Sequence, residues 1–347
     1  MEDLPEGAKF EILLNSDIDS IINLCQTSKS FNNICQQTYF WTSKAQLDFG
    51  IPPNDFLSIP AASNKDRYLW LLEIDPAHGL IDAASFGSLF LVKYFIDQGA
   101  QGYTYAMISA AESGHLDIVK FLITKNVTNI SGAIKAATKR GRVNVVKFLL
   151  DYQPKLYLWT ISEAVKNGQY NVVELLLKPE YKGNAFYNKA LVEAAEAGYN
   201  DIVKLLIKNG ATSLDKALIA AAEEGYGQVI TTLIQNGAFN LNDAMKKAAY
   251  NGYDQAVELL ISYGANDYNG AMFQAIMNGH LNTVEMLINK GADDFNGGLI
   301  LAAEHGYSSI VDLMIKKGAT QLKDAIDIAN LAGFISIGER IKRYQYK

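Results

Sequence analysis

The sequence predicts an all-α protein in which a tandem array of two-helix repeats follows a short helical N-terminal segment. Ten glycines recur along the 347-residue chain; eight of the nine intervals between them are 27 residues, and the exception, from Gly168 to Gly198, is 30. Apolar residues flank each glycine at helical spacing. A period of this length is typical of repeat arrays, which bury their apolar faces between neighbouring copies. The ten positions are Gly87, Gly114, Gly141, Gly168, Gly198, Gly225, Gly252, Gly279, Gly306 and Gly333.

Each repeat is predicted to consist of a first helix, a tight turn and a second helix. Before Gly225, the side of the first helix that should face a neighbour carries small or apolar residues: Ala217, Leu218, Ala221 and Ala222. Gly225 can end this helix in the left-handed conformation. The second helix after Gly198 has an apolar arc over 202–207 that is too wide for one partner to cover. Gly-Ala pairs such as Gly210 and Ala211 are predicted to end the second helices.

The composition argues against several classes of protein. A net charge of -6 and a pI near 5.4 disfavour general binding to nucleic acid or to anionic membranes. Two cysteines, Cys25 and Cys35, are too few for a secreted disulfide scaffold and favour a reducing compartment. The four histidines lack the spacing of a metal site, and we expect no cofactor. Without a signal-peptide core or a membrane-spanning apolar run, the chain is expected to be cytoplasmic.

The repeats resemble the ankyrin family over about residues 78–343. The matching residues are Ala110, Ala111, Gly114, His115, Val119 and Leu122, and again Ala248, Ala249, Gly252, Tyr253, Val257, Leu260, Gly264 and Ala265. The resemblance implies a helix-turn-helix solenoid of about ten repeats that binds proteins. Because the period is 27 and not the usual roughly 33, the family's projecting β-hairpin finger has no room. Residues 243–246 replace the family's Thr-Pro-Leu-His start, so its hydrogen-bonded cap is not expected.

Finger-less arrays of this kind are similar to those abundant in giant DNA viruses of amoebae. That resemblance implies a protein that acts on host proteins in the host cytoplasm. The binding surface is then expected on the first helices and on the short connecting loops.

Residues 4–41 resemble an F-box, the domain that docks on the Skp adaptor of SCF ubiquitin ligases. The segment reads as three short amphipathic helices, with Leu4-Pro5 at its start, Phe31 where a Trp usually stands, and Trp41 at its end. The resemblance implies that the adaptor contacts are Leu4, Pro5, Ile12, Leu13, Ile21 and Ile22. The pattern departs from the family at Asp17, which Ile18 and not Pro follows, and at 27–28. The alternative is that the segment only caps the array.

These observations predict three domains. An F-box-like helical domain spans 1–43, a linker and capping helix spans 44–77 and packs on the first repeat, and the array with its C-terminal cap spans 78–347. Polar residues at 339–343 replace the apolar residues of inner repeats, as a solvent-facing cap requires. The fourth repeat is irregular over 177–183, where Pro179 should end the helix. A tolerated surface insertion is the favoured interpretation, and a contact loop or a small change in superhelical direction is the alternative.

Target recognition should depend on positions that vary between repeats. These change from basic to acidic to apolar along the array, and the candidate target-binding residues are Lys139, Arg140, Lys166, Glu193, Glu196, Glu223, Glu224 and Tyr250. The alternative is ordinary solvated surface. An aromatic column directly after the repeat glycines, including Tyr199, Tyr226 and Tyr253, is interpreted as a packing seam between repeats.

The leading functional hypothesis is a monomeric substrate-recruiting subunit of a ubiquitin ligase. Its N-terminal segment would bind the Skp-type adaptor, and its array would bind an unidentified target protein. The alternative is a non-catalytic scaffold or competitive inhibitor whose N-terminal helices only cap the solenoid. An enzyme is not expected, because the chain has no nucleophile elbow, phosphate-binding glycine loop or zinc spacing.

Overall fold

The computed structural model describes residues 1, 3–177 and 185–345. Every regular element in this part of the chain is helical, which confirms the predicted all-α class. The N-terminal helices are α1 (Glu6–Leu14), α2 (Ile18–Thr27), α3 (Lys29–Cys35), α4 (Thr38–Phe49), α5 (Pro53–Leu57) and α6 (Asn64–Glu73).

The ten repeats follow as ten helix pairs, with a 3-10 turn over Pro154–Leu156. The pairs are α7 (Pro76–Phe86) and α8 (Leu89–Asp97), α9 (Tyr103–Ser113) and α10 (Leu116–Ile123), α11 (Ile130–Lys139) and α12 (Val143–Tyr152), α13 (Tyr157–Lys166) and α14 (Tyr170–Leu176), α15 (Ala185–Glu196) and α16 (Asn200–Lys208), α17 (Leu214–Glu223) and α18 (Gly227–Gln235), α19 (Leu241–Tyr250) and α20 (Asp254–Ser262), α21 (Tyr268–Met277) and α22 (Leu281–Lys290), α23 (Phe295–Glu304) and α24 (Ser308–Lys317), and α25 (Leu322–Leu331) and α26 (Ile335–Gln345).

Two details of the N-terminal prediction were wrong. Four helices, not three, begin within residues 4–41, because Gln37 is extended and α4 starts at Thr38. Trp41 therefore lies in the first turns of α4, where its indole donates a hydrogen bond to the Cys35 carbonyl at 2.7 Å. The linker contains α5 and α6 as well as the end of α4, where one helix was expected.

Alanine fills the position four residues before the glycine in all ten repeats. These side chains are completely buried: Ala83, Ala110, Ala137, Ala164, Ala194, Ala221, Ala248, Ala275, Ala302 and Ala329. A methyl group is short enough for adjacent first helices to pack closely, since the side chains at a contact set the distance between helix axes. The small-residue face predicted for the first helices is confirmed.

The chain divides into two compact units, 1–160 and 161–347, with the division inside α13. In the first unit, α7, α9 and α11 pack side by side, and α8, α10 and α12 form a second row. In the second unit, the first helices from α15 to α25 and the second helices from α14 to α24 form the same two rows. The domain limits at 43 and 77 stay predictions.

The aromatic column is a packing seam, as interpreted from the sequence. All ten repeat glycines have positive φ, and at eight of them a Cβ would crowd the side chain that follows the next repeat glycine. At Gly225 (φ +76°), this Cβ would lie 2.8 Å from the Tyr253 ring. The pairs are Gly87 with His115, Gly114 with Arg142, Gly168 with Tyr199, Gly198 with Tyr226, Gly225 with Tyr253, Gly252 with His280, Gly279 with Tyr307, and Gly306 with Phe334.

A hydrogen-bonded ladder joins the repeats of the second unit and was not predicted. Asn242 Oδ1 accepts hydrogen bonds from the backbone N–H groups of Asn266 (2.8 Å) and Asp267 (3.1 Å), in the connection to the next repeat. Five residues at intervals of 27 make this pair of bonds: Asn188, Asp215, Asn242, Asn269 and Asn296. The ladder satisfies N–H groups that the short connections between helices leave unpaired.

Candidate functional site

The six candidate adaptor contacts divide into surface and core residues. Leu4 is 38% exposed, Pro5 is also exposed, and Ile12 and Ile22 are half-buried. Leu13 and Ile21 are 0% exposed, so direct contact by these two residues does not fit the structure. They lie in the core, which leaves Leu4, Pro5, Ile12 and Ile22 as the accessible members of the candidate set. We call these four residues the adaptor surface.

The departure from the F-box pattern at Asp17 does not remove the helix cap. Asp17 is the N-cap of α2, and its carboxylate accepts hydrogen bonds from the Ser20 backbone N–H and hydroxyl, both at 2.8 Å. These bonds hold the pKa of Asp17 below its ordinary value. A carboxylate that caps the first turn fixes where the helix begins, and thereby sets the position of Ile22 one turn further on.

A buried lysine connects the N-terminal helices. The Lys44 ammonium donates to the Leu14 carbonyl at the end of α1 (2.9 Å) and forms an ion pair with Asp48 (2.9 Å). Asp48 also accepts a hydrogen bond from the Tyr68 hydroxyl on α6, and burial together with this bond raises the pKa of Tyr68. Sequence reasoning missed this network, which holds α1, α4 and α6 together.

The linker helices α5 and α6 contact the first repeat through side chains. The Trp70 ring of α6 packs against Phe86 and Phe95, with ring centroids 5.8 Å apart in each pair. Asp55 of α5 accepts a hydrogen bond from the Ser88 hydroxyl at 2.6 Å. The predicted packing of the linker on the first repeat is confirmed. In contrast, α1 packs on α3 and α4, and α2 packs on α3.

Cys25 and Cys35 form a disulfide between α2 and α3, with their Cα atoms 6.2 Å apart. Their pairing is not predicted from the sequence. Both are half-buried, and both line a cavity of about 370 Å³ beside Ile22 and Trp41. The disulfide therefore lies next to one residue of the adaptor surface.

Several candidate target-binding charges are paired between repeats. Arg140 pairs with Glu112 at 2.9 Å, and Glu223 pairs with Lys247 at 3.1 Å. Glu193 is only 14% exposed at its side chain, accepts a hydrogen bond from the Ser162 hydroxyl (2.7 Å), and lies 3.9 Å from Lys166. These charges are not free for a partner, so the gradient predicted from the sequence is partly neutralised.

The other candidates differ in exposure. Lys139, Glu196 and Glu224 are exposed, whereas Tyr250 is half-buried and its carbonyl accepts a hydrogen bond from the Asn278 amide at 2.8 Å. Lys135 is also exposed on α11, one turn before Lys139. We call Lys135 and Lys139 the basic face of the third repeat. Pro179 and the other residues of the predicted insertion from 178 to 183 lie outside the described residues.

Membrane-spanning helices and metal-binding clusters are both absent from the described residues. No helix there is long and apolar enough to cross a membrane. No group of three or more His, Cys, Asp or Glu side chains in that part of the chain could hold a metal ion.

Comparison with known families agrees with the geometry. A family model for ankyrin repeats (3 copies) matches residues 80–158, 161–245 and 245–325, and a model for the F-box domain matches residues 1–43. No curated protein matches the chain. Both kinds of domain are typically non-catalytic interaction modules. The ankyrin matches cover more than half of the chain, which therefore belongs to the ankyrin-repeat family and carries an F-box at its N-terminus.

Proposed function

We propose that this protein is a substrate-recruiting subunit of an SCF-type ubiquitin ligase. The F-box binds a Skp-type adaptor through the adaptor surface, and the ankyrin array holds a target protein. The observation that carries this proposal is that different N-terminal helices contact the first repeat and present the exposed apolar residues. Trp70 of α6 and Asp55 of α5 make the side-chain contacts between the N-terminal helices and the first repeat, so capping does not account for the exposed apolar residues Leu4 and Pro5.

Adaptor binding is tested with the full chain, a purified eukaryotic Skp adaptor, and the double variant Leu4→Ala with Pro5→Ala. Both residues are exposed, so their removal should leave the fold intact, which circular dichroism checks. We expect saturable binding by the parent and a loss of about tenfold or more in the variant, the size of effect when apolar anchors are truncated. A matched control is Leu331→Ala, since this leucine is 87% exposed at the end of α25.

The outcomes separate the two functions. Equal binding by the parent and the Leu4/Pro5 variant would remove the adaptor surface from the proposal. No binding by the parent would favour the scaffold or competitive inhibitor, which uses the array without a ligase.

For the target, we propose an acidic protein segment bound at the basic face of the third repeat. Lys135 and Lys139 are exposed on α11, and Arg140 beside them keeps its ion pair with Glu112. The chain's net charge of -6 disfavours nucleic acid as the partner. Complementary charge across an interface steers association and selects the partner.

The test compares Lys135→Glu with Lys139→Glu in one variant against Lys147→Glu. Lys147 is an exposed lysine of the same repeat, on its second helix. Proximity labelling should lose proteins with acidic segments in the first variant and keep them in the control. An unchanged set of labelled proteins in both variants would exclude the basic face.

A further inference from the structure

The disulfide of the F-box joins the only two cysteines of the chain. Cys25 lies near the end of α2, and Cys35 is the last residue of α3. Both are half-buried rather than enclosed, so a small thiol or disulfide can reach them. Disulfides in reducing compartments are usually transient and redox-sensing, and the low cysteine content of this chain favours such a compartment.

The bond holds residues that the adaptor surface needs. Ile22 lies three residues before Cys25, on the same side of α2, and lines the same cavity of about 370 Å³. On the other side of the bond, the Cys35 carbonyl accepts the hydrogen bond from the Trp41 indole at 2.7 Å. The disulfide therefore fixes the end of α2, with Ile22, against the end of α3 and the indole of α4.

We propose that Cys25 and Cys35 form a reversible thiol–disulfide switch that sets the affinity of the F-box for its adaptor. The inference rests on the proposed function, because its readout is adaptor binding. In the bonded state Ile22 is held in place before the adaptor arrives. Binding to a preordered surface loses less conformational freedom, so the bonded form binds more tightly.

The oxidant is a low-molecular-weight disulfide such as oxidised glutathione. One cysteine thiolate attacks a sulfur of this disulfide, forms a mixed disulfide and releases one glutathione thiolate. The second cysteine thiolate then attacks the mixed disulfide at the protein sulfur, which forms the Cys25–Cys35 bond and releases the second glutathione thiolate. The protein pair loses two electrons, oxidised glutathione gains them, and the two protons end on the released glutathiones or in water. Reduced glutathione in excess reverses both steps.

The experiment measures adaptor affinity for the full chain after equilibration with oxidised or reduced glutathione, with the state of the pair read by thiol alkylation and mass spectrometry. We expect binding to weaken roughly tenfold on reduction. The double variant Cys25→Ser with Cys35→Ser should bind like the reduced parent in both buffers. Any redox response that persists in this variant comes from the adaptor.

Each outcome decides between the inferences. Equal affinity in the two states, tighter binding by the reduced form, or a pair that stays reduced in oxidised glutathione would overturn the switch while leaving the proposed function in place. Absence of adaptor binding in both states would overturn the proposed function and the switch together.

Discussion

Substitution of Gly225 by alanine tests the seam between repeats directly. The residue has φ +76°, and the added Cβ would lie 2.8 Å from Cγ and 2.9 Å from Cδ1 of Tyr253. A left-handed conformation costs a residue with a Cβ roughly 1–2 kcal/mol, and forcing a packed ring aside costs roughly 1–3 kcal/mol. We therefore expect Gly225→Ala to lower the free energy of unfolding by about 3 kcal/mol.

Two matched variants separate these causes. Gly237 also has positive φ (+102°), but a Cβ there would have no atom of the described residues within 4 Å. Gly237→Ala should therefore cost only the backbone strain, about 1–2 kcal/mol. In a Tyr253→Ala background the ring is absent, so the excess cost of Gly225→Ala over Gly237→Ala should disappear. The two substitutions at 225 and 253 form a double-mutant cycle that isolates the contact.

The assay is equilibrium unfolding in urea, followed by far-UV circular dichroism, with the same slope required for all variants. A cost at Gly225 no larger than at Gly237 would refute the close contact across the seam. A cost at Gly225 that persists undiminished without the Tyr253 ring would show that backbone strain alone explains the glycine.

Three further substitutions follow from the contacts. Asp215→Ala removes the acceptor of the Phe239 (2.7 Å) and Asn240 (3.0 Å) N–H groups and should cost about 1–2 kcal/mol in urea unfolding, whereas Asp215→Asn, the residue at the other four rungs, should cost little. The buried Thr138 hydroxyl has no hydrogen-bond partner among the described residues, so Thr138→Val, which matches Val165 in the next repeat, should raise the unfolding free energy by about 1 kcal/mol; an unchanged or lower value would contradict this. The hydrogen bond from Lys246, partly opposed by burial, holds the pKa of Asp267 below its ordinary value of 3.8. Its stabilisation is present above that value and is lost as the pH falls through the lowered folded pKa. The Asp267→Asn variant should therefore lose less unfolding free energy than the parent between neutral and acidic pH. An equal loss in the two proteins would refute a stabilising role for the Asp267 carboxylate.

The array could be predicted from the sequence because its constraints recur at one period. The recurring glycine can be recognised in the sequence without knowing which residues are in contact. The side chain after each glycine then identifies the packing seam between repeats. The hydrogen-bonded ladder could not be predicted in this way, although its residues also recur every 27 residues. Four of these positions are Asn and one is Asp, which resemble ordinary surface residues. Their partners are backbone N–H groups, which leave no pattern in the side chains. The buried position of Lys44 could not be predicted either, because its acceptor is a backbone carbonyl 30 residues away.

The adaptor surface shows a different limit of sequence reasoning. Two adjacent apolar pairs were assigned to it, Ile12 with Leu13 and Ile21 with Ile22. Successive residues on a helix point about 100° apart, so one member of each pair turns inward when the helix packs. The sequence identifies the pairs but not which member is buried. Packing on neighbouring helices decides this, and it places Leu13 and Ile21 inside.

In the array, some residues hold neighbouring repeats together and others are available to contact a target. The ion pairs separate the acidic residues into these two groups. Glu193 and Glu223 bond to side chains of neighbouring repeats, so replacing them changes the contact between repeats as well as any contact with a target. Glu196 and Glu224 are exposed and have no ion-pair partner in the described part of the chain. An effect of Glu196 or Glu224 on partner binding can therefore be assigned to the target. The same effect from Glu193 or Glu223 cannot, because a loosened array would produce it too.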